Sequence, residues 1–189
     1  MRRTFIATPI EPGAKLSQTH TKLRNALKNE KIKWVDGDHF HITLFFLGDT
    51  SERAITQVRQ KLGDLLPGFS AFQMRLKGLG VFKNMRKPRV LWAGIEQYEP
   101  LKAIKQAIDR ELEPMGFTPD KREFKPHLTL ARMKWVEDKE KLEGLVHTHQ
   151  QEEWQWVRIR EIIYYQSRLT QSGPVYTPIE RFRLDESAE

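Results

Sequence analysis

One short phrase occurs twice in this chain, and where it occurs limits the fold more than any other feature. His41-Ile42-Thr43-Leu44 and His127-Leu128-Thr129-Leu130 each alternate polar and apolar residues, the pattern of a strand with one buried face. Each also follows an earlier strand-like run by the same distance, 36 residues from Phe5 to His41 and 36 from Leu91 to His127. By chance, six His in 189 residues would be followed two places on by Thr about 0.4 times. The phrases alone therefore prove little, and their weight comes from the shared apolar positions and the shared place in a repeated order.

That order is strand, helix, strand, helix, then a strand-rich stretch. In the first half the spacing predicts a strand over Arg3 to Ile10, a helix from Lys15 to Lys31 (Leu16, Leu23, Ala26 and Leu27 on one face) and a strand over Phe40 to Leu47 closed by Gly48. A helix from Ser51 to Leu66 carries Ile55, Val58, Leu62 and Leu65 on one face, and strands follow over Phe69 to Phe82. In the second half the same reading gives Arg89 to Ile95, a helix from Leu101 to Glu113, a strand from Phe124 to Met133, a helix over roughly Glu137 to Val146, strands over Trp154 to Leu169 and a last strand over Tyr176 to Leu184. The expected fold is α+β: residues 1–189 as one bilobal domain from an internal duplication, with two pseudo-twofold-related lobes, mostly antiparallel sheets facing a central cleft, and helices outside.

Composition narrows the function classes. There are no cysteines, hence no disulfides or thiolate metal sites, and no apolar run nears the roughly 20 residues of a membrane-spanning helix. Met1-Arg2-Arg3 leads directly into a strand rather than into a signal-peptide core, so a soluble cytoplasmic protein, expected to be monomeric, is the reading. A net charge of +7 and a pI near 9.6 favour polyanionic partners, although a well-solvated basic surface would account for the charge equally well.

Strand alternation turns the two phrases into chemistry. Each His and Thr points to one face while Ile42, Leu44, Leu128 and Leu130 point to the other, so each sheet offers an imidazole beside a hydroxyl. Two imidazoles opposed across a cleft suit in-line displacement at phosphorus, one accepting a proton from water and the other donating one to the leaving oxygen. An ordinary pKa of about 6.5 lets one ring be neutral and the other protonated near neutral pH. Thr43 and Thr129 could donate hydrogen bonds to the phosphoryl oxygens, and Arg132, five residues after His127, is a further candidate clamp.

These residues carry a resemblance. RTFIATPI, HFHITLFFLGD, LKGLGVF, RVLWAGI, FKPHLTLAR and YYQSRLTQSGPVYTPIERFRL together are similar to the two-histidine phosphoesterase superfamily, and most to its bacterial and archaeal RNA 2′,3′-cyclic phosphodiesterase branch, historically called 2′-5′ RNA ligase. The resemblance implies a bilobal, metal-independent and cofactor-free hydrolase acting on RNA ending in a 2′,3′-cyclic phosphate, with reversible 2′-5′ ligation as a possible second activity. It also implies His41 as donor to the 3′-oxygen and His127 as base, leaving a 2′-phosphate. Spacing alone does not separate those roles.

Other residues divide between function and bland packing. Tyr164, Tyr165 and Arg168 are candidates for lining the cleft, and Lys83 to Arg89 is either a basic loop beside it or a charged hairpin connection. On strict alternation His39 shares a face with His41, which keeps a metal-binding His-x-His pair open as a rival. His147 and His149 suggest a solvated loop, His20 an exposed helix face, and Trp154 with Trp156 core packing. Two further rivals keep the fold: an RNA-binding protein without the reaction, and a phosphodiesterase for a small cyclic nucleotide.

Overall fold

The computed structural model describes residues 1–82, 84–171 and 173–186. In order these form β1 (Arg2–Pro9), α1 (Ala14–Ala26), β2 (Lys31–Trp34), β3 (His41–Thr50), α2 (Glu52–Leu65), β4 (Phe72–Phe82), β5 (Val90–Glu96), α3 (Glu99–Leu112), β6 (His127–Trp135), α4 (Lys139–Thr148), β7 (Glu153–Ile159), β8 (Glu161–Thr170) and β9 (Gly173–Arg183). Helices α2 and α3 form where the apolar spacing put them. In α2, Ser51 accepts a hydrogen bond from the Ala54 N–H and Ile55, Val58 and Leu62 are buried; in α3 the buried set includes Leu101, Ile104, Ile108 and Leu112.

The strands make a four-stranded sheet, β3-β1-β8-β9, and a five-stranded one, β2-β6-β5-β4-β7, with every strand ladder antiparallel. In both, the histidine strand pairs with the first strand of its own half, β3 with β1 and β6 with β5. Other strands are exchanged: β2 and β4, from the first half of the chain, join the His127 sheet, and β8 and β9, from the end of the chain, join the His41 sheet, while β7 stays with β4 in the His127 sheet. The predicted run over 154–169 is thus two strands, broken at Arg160 and sent to different sheets. Helices follow suit: α1 lies against β7 and α4 against β4, while α3 meets β3 and α2 meets β9. One hydrophobic cluster, from Ile6 and Leu44 through Leu91 and Leu130 to Tyr164 and Leu184, runs through both sheets.

Several expectations change. The first helix ends at Ala26 rather than Lys31, because Lys31–Trp34 pairs with the edge of β6 as a strand. His39 sits in a 3₁₀ turn, Gly37–His39, ahead of β3 rather than on it. His20 is half-buried, its ring edge-on to Trp34 at 5.2 Å and to Phe40 at 5.4 Å, so it packs rather than solvates. His149 follows α4 and pairs with Glu152 instead of lying in a solvated loop, whereas His147 is exposed. Trp154 is buried, but Trp156 is 51% exposed under the Arg75 guanidinium, because β7 is the sheet's outer strand. Lys83 lies outside the described residues; the rest of its loop joins β4 to β5 through a turn in which Asn84 accepts from the Lys87 N–H. Among the described residues no helix is long and apolar enough to cross a membrane.

One glycine carries a packing test. The Trp92 indole lies on the backbone of Gly80, where an added Cβ would fall 2.2 Å from the ring. Gly80→Ala must push that ring off the sheet, and overpacking of this kind costs about 1–3 kcal/mol. We expect a Tm lower by several degrees in thermal unfolding; an unchanged Tm would show that the ring moves freely.

Candidate active site

Bulges in β3 and β6 complete what strand alternation begins. In β3 the register with β1 slips between Ile6 and Ala7, so Leu44 and Phe45 are both buried and Phe46 re-emerges on the face of His41 and Thr43. In β6 the register with β5 slips between Leu91 and Trp92, so Leu130 and Ala131 are both buried and Arg132 re-emerges on the face of His127 and Thr129. Strict alternation would have turned Arg132 away from His127; the bulge turns it back.

Both imidazoles are held alike. His41 Nδ1 donates to the His39 carbonyl at 2.7 Å, and His127 Nδ1 donates to the Lys125 carbonyl at 2.9 Å. A carbonyl only accepts, so each bond fixes the proton on Nδ1 and leaves Nε2 free, an acceptor when the ring is neutral and a donor when it is charged. Aromatic rings brace them: Phe5 and Tyr176 lie 5.3 and 5.2 Å from His41, and Phe82 stands edge-on to His127 at 4.6 Å. Opposite His127 on β5 is Gly94, where an added Cβ would meet the Lys77 carbonyl at 2.5 Å.

The electrostatics tie the two sheets together. Burial pushes His41 below its ordinary 6.5; the His39 carbonyl opposes this, while the charges of Arg132, His39 and His127 add to it. Burial also lowers His127, opposed by the Lys125 carbonyl and reinforced by Arg132. Arg132 thus bears on both rings, β3 and β6 touch, and Arg132 lines the same cavity as His41.

A cavity of about 450 Å³ opens beside His41, lined among others by Arg3, Lys33, Asp36, Thr43, Arg132 and Tyr176. Three cations against one carboxylate make it a place for an anion. His127 and Thr129 do not line it; they belong to the adjoining face of the five-stranded sheet, where Thr129 sits opposite Trp92. Neither threonine hydroxyl has a protein hydrogen-bond partner among the described residues.

Of the adjacent tyrosines, Tyr165 stacks on Phe5 at 5.1 Å on the cleft side, whereas Tyr164 is fully buried and donates to Thr4 Oγ1 at 3.1 Å. Arg168 alternates away from Ser167 and Leu169, which do line the cavity, and Arg168 does not. Sequence reasoning missed Tyr176, Arg3 and Lys33. The first two follow from strand periodicity once β1 and β9 are registered; Lys33 does not, because β2 was not foreseen. Among the described residues no three His, Cys, Asp or Glu side chains gather as a metal set.

A profile of the 2′-5′ RNA ligase superfamily matches residues 12–166. The chain belongs to that superfamily. An RNA 2′,3′-cyclic phosphodiesterase of Methanothermobacter thermautotrophicus is 34% identical over 184 residues, 96% of this chain and 98% of its own. One from Thermotoga maritima is 33% identical over 175 residues, covering 92% and 91%. Among solved structures, TT0787 of Thermus thermophilus superposes with a TM-score of 0.78 at 24% identity, covering 98% and 99%, and E. coli LigT complexed with 3′-AMP with 0.74 at 23%, covering 97% and 98%. At those identities the two structures speak for the shared superfamily fold alone.

Proposed function

We propose that this member of the superfamily hydrolyses RNA ends carrying a 2′,3′-cyclic phosphate, with His41 as proton donor and His127 as proton acceptor. The observation that carries the reading is the matched pair of Nδ1–carbonyl bonds, which frees both Nε2 atoms beside one shared guanidinium. The curated relatives bear the same activity in their names. In this reading residues 1–189 act as one bilobal unit, each duplicated half supplying one imidazole.

The steps follow from the groups present. Water attacks phosphorus opposite the 3′-oxygen; its proton passes to neutral His127 Nε2 as the new P–O bond forms. The P–O3′ bond breaks, and His41 Nε2–H supplies the proton to O3′, leaving the phosphate on the 2′-oxygen. Thr43 and Thr129 donate to the non-bridging oxygens, and Arg132 offsets the charge that builds there. Turnover ends with His127 charged and His41 neutral, and solvent exchange resets them.

An oligonucleotide with a 2′,3′-cyclic phosphate end, assayed with and without EDTA and with the product isomer identified, tests the proposal. We expect unchanged turnover under chelation and a 2′-phosphate product. Loss of turnover with EDTA would instead support a metal-dependent reaction, and no turnover on any cyclic phosphate would leave an RNA-binding protein.

A further inference from the structure

Beyond the reacting phosphate, the cleft face continues outward along β2 and the end of β6. Lys33 pairs across the strands with Arg132, Ile32 with Met133 beyond it, and Lys31 with Trp135 beyond that. Between them the register slips by one residue, so Lys134 and Trp135 are exposed in succession and Trp135 falls on the face of Lys31, Lys33 and Arg132. Without that bulge Trp135, three residues after Arg132, would point the other way.

Trp135 is 60% exposed, and the Lys139 ammonium lies 5.8 Å from its ring centre. A large ring left in water at the end of β6, with Lys31 of the edge strand β2 opposite it and Lys139 of α4 beside it, adds little to the core. Two of the acidic groups nearby are engaged: Glu30 accepts from the backbone N–H groups of Glu137 and Asp138, and Asp138 caps α4 by accepting from the Lys141 N–H. Lys31, Lys134 and Lys139 form no ion pair among the described residues. Bare cations alternating with an aromatic face are what single-stranded nucleic acid binds: phosphates to the ammonium groups, a base on the ring.

We propose that Trp135, Lys31 and Lys139 form a subsite for nucleotides upstream of the reacting end, making a single-stranded RNA the preferred substrate over a mononucleotide. This rests on the cyclic-phosphate reading of the site. A cyclic phosphate closes the 3′ end of a strand, so every other nucleotide lies on its 5′ side and must leave the cleft in one direction. Arg132 and Trp135 stand opposite Lys33 and Lys31, two residues or about 7 Å apart along β2, the rise of about two stacked nucleotides.

The test compares kcat/KM for a cyclic-phosphate-ended decamer with that for a nucleoside 2′,3′-cyclic monophosphate, in wild type, Trp135→Ala, Trp135→Phe and the Lys31→Ala/Lys139→Ala double variant. Anisotropy of the same decamer with a 5′ fluorescein label supplies a binding readout, and Trp156→Ala, removing the other exposed tryptophan, is the control. We expect Trp135→Ala to lower kcat/KM on the decamer about tenfold through KM, Trp135→Phe to recover much of it, and mononucleotide turnover to stay at wild type. The lysine double variant should weaken decamer binding and flatten its salt dependence by about 0.7 per lysine in log Kd against log salt. Equal losses on both substrates, or decamer values unchanged in both Trp135→Ala and the lysine variant, would overturn the subsite. Should wild type hydrolyse neither substrate, the cyclic-phosphate reading falls by itself, and the anisotropy decides the subsite: a tenfold loss in Trp135→Ala sustains it and an unchanged Kd ends it.

Discussion

Replacing His41 or His127 by alanine is expected to lower kcat on a cyclic-phosphate-ended oligonucleotide by about 10²- to 10⁴-fold, the range for a positioned acid or base. The double variant should be little worse than either single one, because a donor without its acceptor serves no concerted displacement. The loss is catalytic rather than structural. Both rings sit half-buried on a cleft face, and the residues that build the core beside them, Ile42, Leu44, Leu128 and Leu130, are untouched. Stability should even respond in the opposite direction in acid. Both histidines are held below their ordinary 6.5 in the fold, so the unfolded chain binds more protons as pH drops, and each ring drains stability below about that value. Each alanine variant should therefore match wild type in Tm at pH 8 and gain on it at pH 5. Near-wild-type turnover by either variant would remove that histidine from the mechanism.

Strand alternation carried the two phrases a long way. In a four-residue window with two apolar positions only one face is left for His and Thr, whatever the tertiary context. The helices α2 and α3 were legible for a similar reason, since their buried stripes recur over several turns. What escaped depends on partners distant in the chain. Lys31–Trp34 is too short to declare itself and becomes a strand only because β6 offers an open edge. Tyr164 and Tyr165 are adjacent, so one had to face the core and the other the cleft; register with β1 makes the choice, and local sequence cannot. The exchange of β4 and β8 between sheets was invisible for the same reason. Bulges are subtler still: in HLTLAR the doubled apolar pair Leu130-Ala131 is the visible trace of the slip that returns Arg132 to the cleft, whereas in HITLFF the apolar run continues through Phe46 and hides it.

Arg132 is where the bulge and the chemistry meet, and Arg132→Gln is expected to lower kcat/KM by about 10²- to 10³-fold, as for loss of a charged donor to the transition state. It should also move the pH profile, which a residue with only a packing role would not do. The acceptor must be neutral, so activity rises with pH through the His127 value; the donor must be protonated, so activity falls with pH through the His41 value. Both values lie below 6.5 in the free protein, which puts the wild-type maximum in kcat/KM on the acid side of that figure, while a bound phosphodiester anion favours the charged rings and moves the maximum in kcat upward. The Arg132 charge depresses both imidazoles, so removing it raises both limbs together and displaces the residual bell to higher pH. Arg132→Lys keeps the charge but loses the two-pronged donor, and should restore the position of the bell better than its height. Measured profiles in which the glutamine variant retains wild-type kcat/KM, or loses it with both limbs unmoved, would separate Arg132 from the histidine pair and leave its guanidinium a surface charge.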